Sequence, residues 1–105
     1  MTEGAPAVAD LMVLRSSTVS LDLHTRRAMV AGRSVDLTAR ESALLEALLR
    51  RSGEVLSRED LLGQVWGYDV DPRSNVVNMC ISALRRKLGP DVVVTVRREG
   101  YLIRF

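Results

Sequence analysis

The run SNVVNMCISALRRKL, residues 74–88, places two kinds of chemistry on one helix-forming segment. At about 100° per residue, Val77, Ile81, Leu84 and Leu88 fall on one narrow stripe, while Asn75, Asn78, Met79, Ser82, Arg85 and Arg86 gather on the opposite side. One side buries; the other presents amides and guanidiniums. Asn pairs bidentately with adenine and Arg with guanine, and the DNA major groove admits an α-helix. This face therefore has the chemistry to read DNA. A second basic feature, Arg97-Arg98, stands at the tip of a predicted hairpin. Catalysis finds little support. His24 is the only histidine and lies in the predicted N-terminal sheet, far in sequence from Cys80, and the chain has neither metal-ligand spacing nor a Gly-rich phosphate loop. The sequence predicts no enzyme, no metal and no cofactor.

A chain of 105 residues that is 47% hydrophobic suits one small domain with a single core. Its net charge of +2 conceals an uneven distribution: residues 1–72 hold eight Arg against eleven acids, residues 73–105 seven Lys or Arg against two acids. A basic last third fits a nucleic-acid face, and also an unevenly charged solvated surface. Arg makes up fourteen of the fifteen basic residues, which suits forked contacts to phosphate. The lone Cys80 leaves no internal disulfide and fits a reducing, cytoplasmic setting. No stretch has the apolar length to span a bilayer, and MTEGAPAVAD lacks the basic start and long apolar core of a signal peptide. Residues 1–10 read as a disordered tail or linker end, and 11–105 as the folded domain, with no membrane partner.

The elements that must position these residues follow from periodicity. From Leu11 to Leu37 short, alternating apolar runs predict a small antiparallel sheet, broken at Arg15-Ser16-Ser17 and turned at Gly32-Arg33. Thr38 and Glu41 have capping-box spacing, and Leu44, Leu45, Leu48 and Leu49 form the apolar face of a helix ending near Ser52-Gly53. After a brief extended connector at Val55-Leu56, Ser57 caps a second helix whose Glu59 and Asp60 favour its positive end. That helix buries Leu61, Leu62 and Val65 and stops at Gly67. Asp71-Pro72 is the expected entry to the third helix, 74–88, because proline suits a first helical turn. Beyond Gly89-Pro90, Val92–Val96 and Tyr101–Phe105 form a hairpin around Arg97-Arg98-Glu99-Gly100, where Gly100 supplies a positive φ. The order is α+β: a small sheet, three helices and a basic hairpin, which is a winged helix-turn-helix.

Leu37-Thr38 with Glu41 and Leu44-Leu45, Gly53-Glu54-Val55 with Ser57-Arg58 and Leu61-Leu62, Val65-Trp66-Gly67, Ser74-Asn75-Val76-Val77 with Leu84-Arg85-Arg86-Lys87-Leu88, and Thr95-Val96-Arg97 with Gly100-Tyr101 stand in an order that resembles the C-terminal DNA-binding domain of OmpR/PhoB-type bacterial response regulators. The resemblance covers roughly residues 11–105. It implies that the third helix enters the major groove, with Asn75, Asn78, Met79, Ser82 and Arg85 facing bases, and that the wing, 95–101, brings Arg97 into the minor groove. Arg suits that place, because narrow minor grooves concentrate negative potential. Arg58, Trp66, Thr95 and Tyr101 match positions that contact the sugar-phosphate backbone, which fixes register without reading sequence. Arg86 and Arg98 extend that set. Packing is the other reading for Trp66 and for Tyr101, and solvation at the negative helix end for Arg86 and Lys87.

The chain departs from the family pattern at Ser82-Ala83, where many members carry two basic residues, and at Arg98-Glu99, where a glycine and a variable residue are common. The resemblance further implies head-to-tail dimers on direct repeats of double-stranded DNA and contact with RNA polymerase through the loop at 67–73. It also implies an upstream receiver domain, for which this chain has no room. A winged-helix module meeting an acidic protein through the basic face is the competing expectation.

Overall fold

The computed structural model describes residues 12–67 and 69–105. The expected tail at 1–10 lies outside those residues, as does Tyr68 in the 67–73 loop. Four strands, β1 (Val13–Arg15), β2 (Val19–Asp22), β3 (Arg27–Val30) and β4 (Arg33–Asp36), form an antiparallel meander in sequence order. Register places Leu14, Leu21, Ala28 and Val35 in one row across all four strands, with Val19 opposite Val30 on the same face. Alternation thus delivers one apolar face, in which Leu21 and Ala28 are fully buried.

The turns differ in detail from the sequence reading. Ala31 and Gly32, at φ 50° and 76°, make the two-residue turn, and Arg33 already belongs to β4. A two-residue hairpin turn with both φ positive matches the strand twist, which displaces the turn by one residue. His24 stands in the β2–β3 turn and not in a strand, because the Asp22 carboxylate accepts from the backbone N–H groups of His24 and Thr25 and bends the chain there.

Helix α1 (Ala39–Arg50) opens with the expected capping box between Thr38 and Glu41 and buries Leu44, Leu45, Leu48 and Leu49. Its end comes two residues early, where Ser52 donates its hydroxyl to the Leu49 carbonyl. Helix α2 (Arg58–Leu61) is capped by Ser57, with Asp60 completing a second capping box. It continues as a π-helical stretch, Leu62–Trp66, and stops at Gly67, whose φ is 86°. The wider turn leaves Val65 only half-buried, although Leu61 and Leu62 are buried as expected.

Helix α3 (Val76–Leu88) starts later than expected. Pro72 lies in a turn before it, because the Asp71 carboxylate takes the Arg73 N–H and the Asp71 carbonyl takes the Ser74 N–H. Those donors are satisfied outside a helix, so the helix begins only after Asn75. A short hairpin, β5 (Val94–Val96) and β6 (Gly100–Leu102), completes the chain. Its second strand, β6, also pairs with the α1–α2 connector, the Leu56 and Tyr101 N–H groups each donating to the other's carbonyl at 2.9 Å. The core gathers the inner sheet face, the apolar faces of the three helices, and Leu56, Val92, Val93 and Ile103 from the connectors.

Candidate nucleic-acid interface

The two-faced pattern of α3 is realised in the fold. Val77, Ile81, Leu84 and Leu88 are buried, with Cys80 beside them, whereas Asn75, Asn78, Met79, Ser82 and Arg86 are exposed. Met79 is 61% exposed, an apolar contact surface amid amides and hydroxyls. Arg85 sits at the edge, half-buried. The Cys80 thiol is pushed up to about 11 by burial, with the Glu41 carboxylate adding to the rise, so at neutral pH it is a packing group and not a nucleophile.

Several of the sequence-predicted contact residues are committed to one another. Arg85 donates to the Val93 carbonyl through Nε at 3.2 Å and Nη2 at 2.8 Å, and to the Thr95 hydroxyl at 2.6 Å. Its guanidinium lies 5.9 Å from the centre of the Tyr101 ring, within cation–π range. The Tyr101 hydroxyl in turn donates to Asn78 Oδ1 at 2.8 Å. One network therefore joins α3 to both strands of the wing. Arg58 points its guanidinium at the chain, donating to the Ser74 carbonyl at 2.9 Å and to the Pro72 carbonyl, which clamps the loop that enters α3. Trp66 is half-buried against the core, under the Arg40 guanidinium at 5.8 Å.

Arg86, Arg97 and Arg98 are exposed and make no ion pair or side-chain hydrogen bond among the described residues. The wing tip is closed by the Glu99 N–H donating to Val96, with Arg98 at φ 68°. Lys87, unlike its neighbour Arg86, is more than a solvated charge: although it reaches solvent, its ammonium donates to the buried Glu41 carboxylate at 2.6 Å and to the Asp36 carbonyl at 3.2 Å. That bridge across 46 positions carries no periodic signal in the sequence. Burial acts to raise the Glu41 carboxyl, but the Lys87 hydrogen bond and charge and the Thr38 hydrogen bonds outweigh it and hold it below its ordinary value. Among the described residues no cluster of three His, Cys, Asp or Glu side chains could hold a metal, and no helix is long and apolar enough to cross a membrane.

Residues 32–103 match the family described as "Transcriptional regulatory protein, C terminal". The chain belongs to this family. A relative, the transcriptional regulatory protein CutR of Streptomyces coelicolor, is 44% identical over 92 residues, 87% of this chain and 42% of CutR. The chain thus spans less than half the length of that relative. The DNA-binding domain of CpxR from Escherichia coli superposes with a TM-score of 0.74 at 35% identity, covering 88% of this chain and 95% of that one. The RstA DNA-binding domain of Klebsiella pneumoniae, solved in complex with the RstA box, superposes with a TM-score of 0.75 at 28% identity, covering 88% and 96%. The family is one of transcription regulators and not of enzymes, and the four-stranded sheet, three helices and hairpin are the winged-helix architecture of its OmpR/PhoB-type members.

Proposed function

We propose that the domain binds double-stranded DNA with sequence preference, as the effector part of a two-component response regulator, with α3 in the major groove and the wing in the adjacent minor groove. The observation that carries this reading is the joining of the exposed amide and hydroxyl face of α3 to the wing through Arg85–Thr95 and Tyr101–Asn78, with the guanidiniums of Arg86, Arg97 and Arg98 exposed and unpaired among the described residues. Free guanidiniums suit phosphates and a narrow minor groove, and the amides suit base edges. In this reading Asn75, Asn78, Met79 and Ser82 face bases and Arg97 enters the minor groove. Arg85, Thr95 and Arg58 act chiefly by holding the wing and the entry loop, and Trp66 by packing against the core under Arg40. The RstA DNA-binding domain, with the same fold, was solved in complex with the RstA box, which supports the DNA-binding reading.

The proposal extends to head-to-tail binding of direct repeats, an upstream receiver domain that controls dimerisation, RNA polymerase contact through 67–73, and a cytoplasmic setting. CutR, of which this chain matches only 42%, has length for a further domain. Selection of bound duplexes from a random DNA pool, followed by salt titration on the selected and a scrambled duplex, tests the reading. A preference that survives moderate salt is expected, with the selected half-sites about one helical turn apart. Equal and steep loss on both duplexes would overturn sequence-specific binding and favour an acidic protein partner.

A further inference from the structure

We propose that Tyr101 is a positioning residue for base readout: its phenolic hydrogen bond to Asn78 holds the amide against the wing and favours the polarity in which the oxygen faces the wing and the nitrogen faces away from it. The inference rests on the DNA-binding reading above and deepens it. Asn78 is exposed on α3, and an exposed amide is free to turn over, exchanging its acceptor oxygen for its donor nitrogen. That exchange matters for recognition. Adenine offers an acceptor at N7 beside a donor at N6, guanine two acceptors at N7 and O6, so the polarity of the amide decides which base edge it matches.

Tyr101 restricts that freedom because it is itself held from three directions. Its backbone pairs with Leu56 through two 2.9 Å hydrogen bonds, its strand position faces Thr95 across the hairpin, and its ring lies under the Arg85 guanidinium at 5.9 Å. From that fixed ring the hydroxyl donates to Asn78 Oδ1 at 2.8 Å, leaving the Nδ2 donors on the side away from the wing. A phenol donates more readily than it accepts, which favours this polarity of the amide over the reverse, and with its one proton given to Asn78 it has none for a phosphate. Tyr101 therefore serves sequence readout through Asn78, and not backbone grip.

Tyr101→Phe keeps the ring, the Arg85 stack and the Leu56 pairing and removes only the hydroxyl. The probes are duplexes selected by the wild-type domain from a random pool, with each base pair of the consensus then varied in turn, and one scrambled duplex. Tyr101→Phe is expected to lose roughly five-fold or more of the discrimination at a single base pair, the lower range of what a bidentate side-chain contact supplies. Affinity for the scrambled duplex stays unchanged, and in an Asn78→Ala background the same substitution has no further effect. In the DNA-free domain the side-chain amide resonances of Asn78 move in Tyr101→Phe while those of Asn75 do not, a pattern that general loss of structure does not produce. An equal affinity loss on consensus and scrambled duplexes that persists in Asn78→Ala assigns the hydroxyl to a phosphate and overturns the inference alone. Unaltered preference at every base pair also overturns it alone. A wild-type domain with no sequence preference overturns the DNA reading and this inference together.

Discussion

The guanidinium of Arg85 on α3 donates to the hydroxyl of Thr95 on β5 at 2.6 Å, while its other contacts reach the Val93 carbonyl. Helix and wing are consequently one unit, and an arginine with the sequence signature of a base reader commits Nε and Nη2 inside the protein, leaving only Nη1 without a partner among the described residues.

Arg85→Ala is expected to lower stability by about 1–3 kcal/mol, because the carbonyl of the buried Val93 loses its donors. Arg97→Ala removes an exposed side chain with no hydrogen bond or ion pair among the described residues and should stay within about 0.5 kcal/mol of the parent. Its effect falls on DNA: weaker binding on all sequences and a salt slope smaller by about 1. Denaturant melts and salt-dependent binding separate the two; equal stability losses would remove the structural role assigned to Arg85.

Arg98→Gly should stabilise the domain. Arg98 has φ 68°, a left-handed conformation that costs a side-chain-bearing residue about 1–2 kcal/mol, of which the greater unfolded-state freedom of glycine returns part. A net gain of about 0.5–1 kcal/mol in the unfolding free energy from denaturant melts is expected, and none for Arg98→Ala, which keeps the Cβ.

The Glu41–Lys87 bridge makes stability acid-sensitive. The folded-state carboxyl titrates below its ordinary value, so its contribution is fully present above the ordinary glutamate range, about pH 4.5, and is lost as pH falls through the depressed value. Glu41→Gln removes this acid-dependent component. Lys87→Met leaves a buried carboxylate unpaired; it should cost about 1–2 kcal/mol, discounted because Lys87 reaches solvent, and start acid unfolding at a higher pH. Melts across pH 3–7 check both, and superimposable pH profiles for wild type and Glu41→Gln would dismiss the bridge as a determinant.

Gly100→Ala should detach the wing. Gly100 has φ 147°, and a Cβ there would stand 2.0 Å from the Leu56 carbonyl oxygen, a backbone atom that cannot move without breaking the Leu56–Tyr101 pair. A loss on the order of 2–3 kcal/mol is expected, together with weaker DNA binding, since Tyr101 and Arg97 both ride on this hairpin. Native stability with unchanged hydrogen-exchange protection at Leu56 and Tyr101 would contradict it.

Much of the fold was legible because its signals are local. Thr38 with Glu41, Ser57, and Gly67 announce helix ends through hydrogen bonds and φ values confined to a few residues, and the leucines of α1 and α3 repeat with the helical period. Pro72 misled for the same reason. Proline is compatible with both a first helical turn and an ordinary turn, and the Asp71 side chain, by taking the Arg73 N–H, selects the latter. The exposed face of α3 was equally visible, but the freedom of its individual side chains was not.

The sequence by itself determined which faces bury, where helices are capped, and that amides and guanidiniums share one side of residues 74–88, since these depend on periodicity and near neighbours. Only the tertiary structure decided which of those polar groups remain available. Arg85 meets Thr95 across 10 positions, Arg58 meets Ser74 across 16, Tyr101 meets Asn78 across 23 and Lys87 meets Glu41 across 46. Long flexible side chains find such partners only when packing brings separate segments together, and packing leaves Arg86 on that helix, with Arg97 and Arg98 on the wing, unpaired among the described residues.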